Sequence, residues 1–147
     1  MLMAFSEVNS LTLEWIIPLN ERLEMIRTQP ELREKLWSIA KALQNGLKEK
    51  GFDIGRTGSP VTPVFLKGDE AEGSQVVADL RENFRIFCSM VIYPVVPRGV
   101  IMLRLIPTAV HTLEDVKYTI EAFDVVKQKL EAGEYNIGVV PSVADQY

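Results

Sequence analysis

The sequence predicts an α+β domain: a small, mainly antiparallel sheet of about three to four strands with helices packed on one face. Three observations carry this. Apolar residues recur at steps of three or four over long stretches, and these stretches are interrupted by short, near-continuous apolar runs. The order of segments is helix, helix, strand, helix, strand, strand, helix, without the strict strand–helix alternation of a parallel sheet. The last two strand-like runs are joined by a short loop, which suits an antiparallel hairpin. At 147 residues and 47% apolar content, the chain is one ordinary globular domain that needs no disulfide or metal to hold a core.

Each element has its own signal. From Ser10 to Gln29, Leu11, Trp15, Leu19, Leu23 and Ile26 fall at helical steps, with Pro18 expected to kink or split the helix. Pro30 suits a first helical position and Glu31 favours the helix N-terminus. Leu32, Leu36, Ile39, Leu43 and Leu47 then form one stripe, Lys35, Lys41, Lys48 and Lys50 lie off it, and Gly51 follows as the C′ residue. Val61, Val64, Phe65 and Leu66 favour a strand, which Pro63 confines to an edge or a bulge. After the polar turn Gly68-Asp69-Glu70, a helix runs to about Asn83 with Val76, Val77 and Leu80 inward. Phe84 to Tyr93 reads as a second strand, Pro94 to Gly99 as a proline-stiffened loop, and Val100 to Ile106 as a third strand stopped by Pro107. Thr112 and Asp115 approximate a capping box for the last helix. Leu113, Val116, Ile120, Phe123, Val126 and Leu130 are its buried stripe, and Gly133 ends it.

Composition excludes several functions. The net charge of −4 argues against a nucleic-acid surface. One Cys and one His exclude a disulfide framework, a multi-cysteine zinc site and a paired-His mechanism. No apolar run approaches a membrane span, and the first residues lack the features of a signal peptide. A reduced cytoplasmic setting is expected. The Gly51 to Gly58 region is no phosphate loop, because it follows a helix and carries no G-K-[ST]. The acidic cluster Asp69 to Glu72 reads as a solvated turn and helix start, and Cys88, in an apolar strand, as buried and inert.

Arg104 is the most informative residue. Its strand is apolar at both parities, which implies burial on both faces, yet Arg104 is a permanent cation. A buried guanidinium requires a partner, and its fork suits a carboxylate. Residues alone leave open a substrate-carboxylate site, an internal ion pair and a solvated edge position. His111, just before a helix start, reads as a loop histidine able to donate to an anion.

Read together, the second half resembles a known family. Tyr93-Pro94-Val95-Val96-Pro97-Arg98-Gly99, then Leu103-Arg104 through Thr108-Ala109-Val110-His111-Thr112, resembles the C-terminal domain of the α-oxoamine synthases. Leu32 to Trp37, Gly51-Phe52 and Ser59 to Val64 also fall where that family has them. The resemblance covers about Pro30 to Leu130. It implies the small domain of a fold-type I aminotransferase architecture, with residues 1–29 a remnant of an interdomain helix, 30–132 the domain and 133–147 a tail. It implies a pyridoxal-phosphate parent that condenses an amino acid with an acyl-CoA, as in 8-amino-7-oxononanoate synthase, 2-amino-3-ketobutyrate CoA ligase or serine palmitoyltransferase. The cofactor is the electron sink in such chemistry.

By that resemblance Arg104 binds the substrate carboxylate. Val95, Pro97, His111 and Thr112 fall at substrate-loop or helix-start positions, and Val95 stands where many members have Thr. The resemblance further implies a partner large domain that binds the cofactor and a homodimeric parent, with no nucleic acid and no membrane. None of the eight lysines sits in the family's lysine segment, so no cofactor and no catalysis are expected of this chain alone. The other reading is a stand-alone α+β module that binds a small carboxylate or serves assembly.

Overall fold

A computed structural model describes residues 20–135; the expected Pro18 kink lies outside the described residues. The chain divides into two units between Lys35 and Leu36. In the first unit residues 20–28 are helical, and Leu23 and Ile26 of the expected stripe are exposed.

Helix α1 is Pro30–Glu49. Its stripe is corrected at one end: Leu32 is exposed. From Leu36 onward the face holds, and it also buries Ala40 and Gln44. Gln44 survives burial because its amide donates to the Ser59 carbonyl at 3.0 Å and to Thr62 Oγ1 at 3.1 Å. That pair of bonds pins the start of strand β1, Thr62–Lys67, to the helix. Gly51 ends the helix as expected, with φ 75°. Its N–H donates to Lys48 O, and the N–H of Phe52 donates to Leu47 O. This is a Schellman ending, closed by the buried pair Phe52 and Leu47.

Helix α2, Glu70–Glu82, has Asp69 as N-cap in a reciprocal capping box with Glu72, so the acidic cluster is a helix start. Strand β2, Ser89–Val91, is much shorter than the Phe84 to Tyr93 expectation. The reason lies in residues 84–86. Arg85 has φ 57°, and the N–H of Ile86 donates to Leu80 O, so this stretch folds back on the end of α2 instead of pairing. Strand β3, Val100–Leu105, lies between its neighbours in the order β1-β3-β2, antiparallel to both. Pro63 is accordingly on an edge strand.

Helix α3, Leu113–Glu131, starts with the Thr112–Asp115 capping box and buries Val116, Ala122, Phe123 and Val126. Leu113 is exposed, a correction to its stripe. Thr62, Val64 and Leu66 from β1 and Ile101, Leu103 and Leu105 from β3 are buried with the inner faces of the three helices. The core therefore lies on one face of the sheet. Tyr135, within the expected tail, is buried in the same core.

Candidate functional site

The other face of the sheet carries Arg104. Along β3, Ile101, Leu103 and Leu105 are buried, whereas Val100 and Met102 are half-buried and Arg104 is exposed. The expectation of burial on both faces is thereby corrected: the helices cover only one face, and the apolar residues of the other shelter one another. Arg104 pairs in register with Pro63 on β1 and Ser89 on β2. Its Nε donates to Ser89 Oγ at 3.1 Å. Among the described residues no carboxylate forms an ion pair with it. With Nε taken by Ser89, the two terminal nitrogens keep the forked edge that matches a carboxylate. Ser89 was not singled out by sequence reasoning; its signal was a small hydroxyl inside an otherwise apolar run.

His111 and Thr112 belong to the start of α3. The Thr108 N–H donates to His111 Nδ1 at 2.9 Å, which leaves Nε2 as the donor of the neutral ring. Thr112 Oγ1 accepts from the Asp115 N–H at 3.2 Å, and the Thr112 N–H donates to Asp115 Oδ2 at 2.7 Å. Hydrogen bonds from the Thr112 backbone and hydroxyl hold the Asp115 carboxyl below the usual carboxylate range.

Val95 and Pro97 lie in the loop at the far end of the hairpin. Both are exposed, while Val96 between them is buried. Arg98 stacks its guanidinium 4.8 Å from the Tyr93 ring centroid. Arg104 is four residues along β3 from Val100, about 13 Å at ~3.3 Å per residue. The structure thus spreads the five candidates over three places: Arg104 on the open sheet face, Val95 and Pro97 at the hairpin loop, His111 and Thr112 at a helix start.

Six of the eight lysines are exposed, and the other two are engaged. Lys127 lies against the Lys50 and Gly51 carbonyls at 3.5 Å, and Lys129 pairs with Asp79 at 2.8 Å. None lines a cavity described here. Among the described residues no cluster of three His, Cys, Asp or Glu suits a metal, and no helix is long and apolar enough to cross a membrane. Cys88 is buried, and burial pushes its thiol up to about 11.

No protein-family model matches the chain. It is 56% identical over 115 residues to a cysteate-C-fatty acyltransferase of Capnocytophaga ochracea, covering 78% of this chain and 27% of that protein. It is 39% identical over 111 residues to an 8-amino-7-oxononanoate synthase of Exiguobacterium sibiricum, covering 76% and 28%. Among solved structures it resembles a serine palmitoyltransferase of S. paucimobilis holding a PLP–myriocin aldimine. That match has a TM-score of 0.63 and 28% identity, over 74% of this chain and 27% of that one. The chain spans just over a quarter of the length of these relatives.

Proposed function

The chain belongs to the α-oxoamine synthase family, as its C-terminal small domain, and on that footing we propose that it is the part of a pyridoxal-phosphate-dependent acyltransferase that holds the carboxylate of the amino-acid substrate. The observation that supports this reading is the free fork of Arg104 on the open sheet face. A guanidinium that no acid among the described residues pairs with, oriented by one hydroxyl, is prepared to take a carboxylate bidentately. Ser89 fixes the side chain through Nε and so lowers the entropy that substrate binding must remove. The half-buried residues beside it, Met102 and Phe65, give the pair a drier setting than bulk water.

In this reading the residues that hold the cofactor come from a large domain, which is the partner of this one in a homodimeric, cytoplasmic enzyme. The bound cofactor supplies the electron sink for carbon–carbon bond formation. The chain by itself is expected not to turn over. The 56% identical relative is named for cysteate and a fatty acyl group, so we assign the parent an acidic amino acid and a fatty acyl-CoA as substrates. The test is steady-state kinetics of the parent with Arg104→Ala and Arg104→Lys. We expect KM for the amino acid to rise in both while KM for acyl-CoA stays unchanged. An unchanged amino-acid KM would remove Arg104 from the site.

A further inference from the structure

Side-chain chemistry alone leaves β2 two ways to lie on β3. The register pairs Ser89 with Arg104, Met90 with Leu103 and Val91 with Met102. Cys88 is then buried in the core, and Met90 packs toward α2, where a Cβ on Gly73 would meet Met90 Sδ at 2.6 Å. Ser89 takes the open face and accepts from Arg104 Nε. A slip of one residue would send every side chain to the other face. Phe87, Ser89 and Val91 would turn to the core, and Cys88 and Met90 to the open face. Residue type does not forbid this, because both sets are mostly apolar. Three pairs are few to hold a register, and the connection over 92–99 to β3 is long.

The entry to β2 from α2 is fixed instead. Arg85 has φ 57° and is the one described residue besides glycine with positive φ, in a region that side-chain-bearing residues seldom occupy. The residues around it are tied to α2 and α3. The Ile86 N–H donates to Leu80 O at 2.9 Å. The Asn83 amide donates to Asp79 Oδ1 at 2.6 Å. Lys129, paired with Asp79 Oδ2 at 2.8 Å, lies 5.8 Å from the Phe84 ring centroid. Only Phe87 separates the anchored Ile86 from Cys88. One residue leaves no slack for the ~3.3 Å that a one-residue slip requires.

We propose that the left-handed turn at Arg85 is a register lock: it sets the parity of β2 and so places Ser89, and not Cys88 or Met90, against Arg104. Arg85 is thus a positioning residue that acts on Arg104 through Ser89, with Asn83 and Asp79 holding the turn. The bearing of this lock on substrate rests on the carboxylate reading above, whereas the register itself does not.

The test replaces Arg85 in this chain by Ile, a β-branched residue that the left-handed region does not accommodate, and by Gly, which it favours. Two readouts are taken beside a denaturant melt: amide NOEs between β2 and β3, and the rate at which a thiol reagent labels Cys88. The unchanged chain and Arg85→Gly should keep Ser89 opposite Arg104 and label slowly. In Arg85→Ile we expect the cross-strand contacts to move one residue out of step, and labelling at least tenfold faster than the loss of stability accounts for. Should Arg85→Ile not fold, Asn83→Ala, at an exposed position, should show a smaller excess of labelling. Ser89 opposite Arg104 in a folded Arg85→Ile, or no excess labelling in either variant, overturns the proposal. Failure of the carboxylate reading would show instead in the Arg104 kinetics of the parent, which these measurements do not touch.

Discussion

Among the described residues Arg104 makes a single hydrogen bond, to Ser89, on an exposed face. Its removal therefore creates no buried orphan, and Arg104→Ala should change the stability of the chain by less than about 0.5 kcal/mol in a denaturant melt. In the parent the same change should weaken amino-acid binding about tenfold or more, the loss of at least one charge-assisted bond. Unfolding of the chain by Arg104→Ala would make the residue structural. Asp79 is the opposite case. Its Oδ2 receives Lys129 at 2.8 Å and the Tyr135 hydroxyl, and its Oδ1 receives the Asn83 amide at 2.6 Å. Burial works against its charge, but these bonds and the Lys129 charge together hold the carboxyl below its usual range. A carboxyl so lowered stabilises the fold above about pH 4, and that contribution is lost as pH falls through the folded value. Burial and the same carboxylate push the Tyr135 hydroxyl up, so its contribution is present below about pH 10 and lost above it. Asp79→Asn should cost about 1.5–3 kcal/mol at pH 7 and flatten the acid limb of a stability–pH curve. An unaltered acid limb would show that the carboxylate contributes nothing.

Two devices set how the helices end and meet. Gly51 holds φ 75°, and an added Cβ would meet only Lys127 Nζ at 3.7 Å. Gly51→Ala should thus cost about 1–2 kcal/mol through backbone strain alone, and a neutral melt would refute the assignment of this turn. Gly46, inside α1, is a different matter. Glycine costs a helix about 1 kcal/mol relative to alanine, yet a Cβ here would collide with Ile120 Cδ1 of α3. The glycine allows α1 and α3 to approach. In a double-mutant cycle, Gly46→Ala should give little net gain alone and more in the background of Ile120→Val, which removes Cδ1. Additive effects would mean the helices separate freely. The glycine helix ends and the Thr112–Asp115 capping box were legible in the sequence, because they depend on residues within four or five positions of one another; the Asp69–Glu72 box was read only as a turn and helix start. The extent of β2 was not. The run from Phe84 to Tyr93 has strand composition throughout, but only Ser89 to Val91 find partners on β3.

Beyond single elements, the core is one-sided, and Cys88 reports on it. Its buried thiol, raised by desolvation to about 11, has almost no thiolate at pH 8, and the residue is only 4% exposed. Alkylation should proceed only through opening of the core. Its rate should rise with denaturant in step with unfolding measured by circular dichroism. Fast labelling of the native protein would place Cys88 in a locally open segment. The same one-sidedness decides the Arg104 site: a sheet covered on one face leaves the alternate residues of β3 in the half-shelter where a guanidinium can be both oriented and available.

What the residues determined unaided is the class, the order of elements, the capped helices, the edge position of Pro63 and the candidacy of Arg104. All of these follow from local periodicity, backbone chemistry and short motifs. Only the tertiary structure decided which face of β3 carries Arg104 and that Ser89 orients it. An alternation pattern in which both parities are apolar names no inner face; burial does that, and burial depends on where the helices come to rest. The hollow lined by Ile39, Leu43, Arg85, Leu105 and Val116 lay hidden for the same reason. Its walls come from α1, β3, α3 and the bend at residues 84–87, and no local pattern joins them.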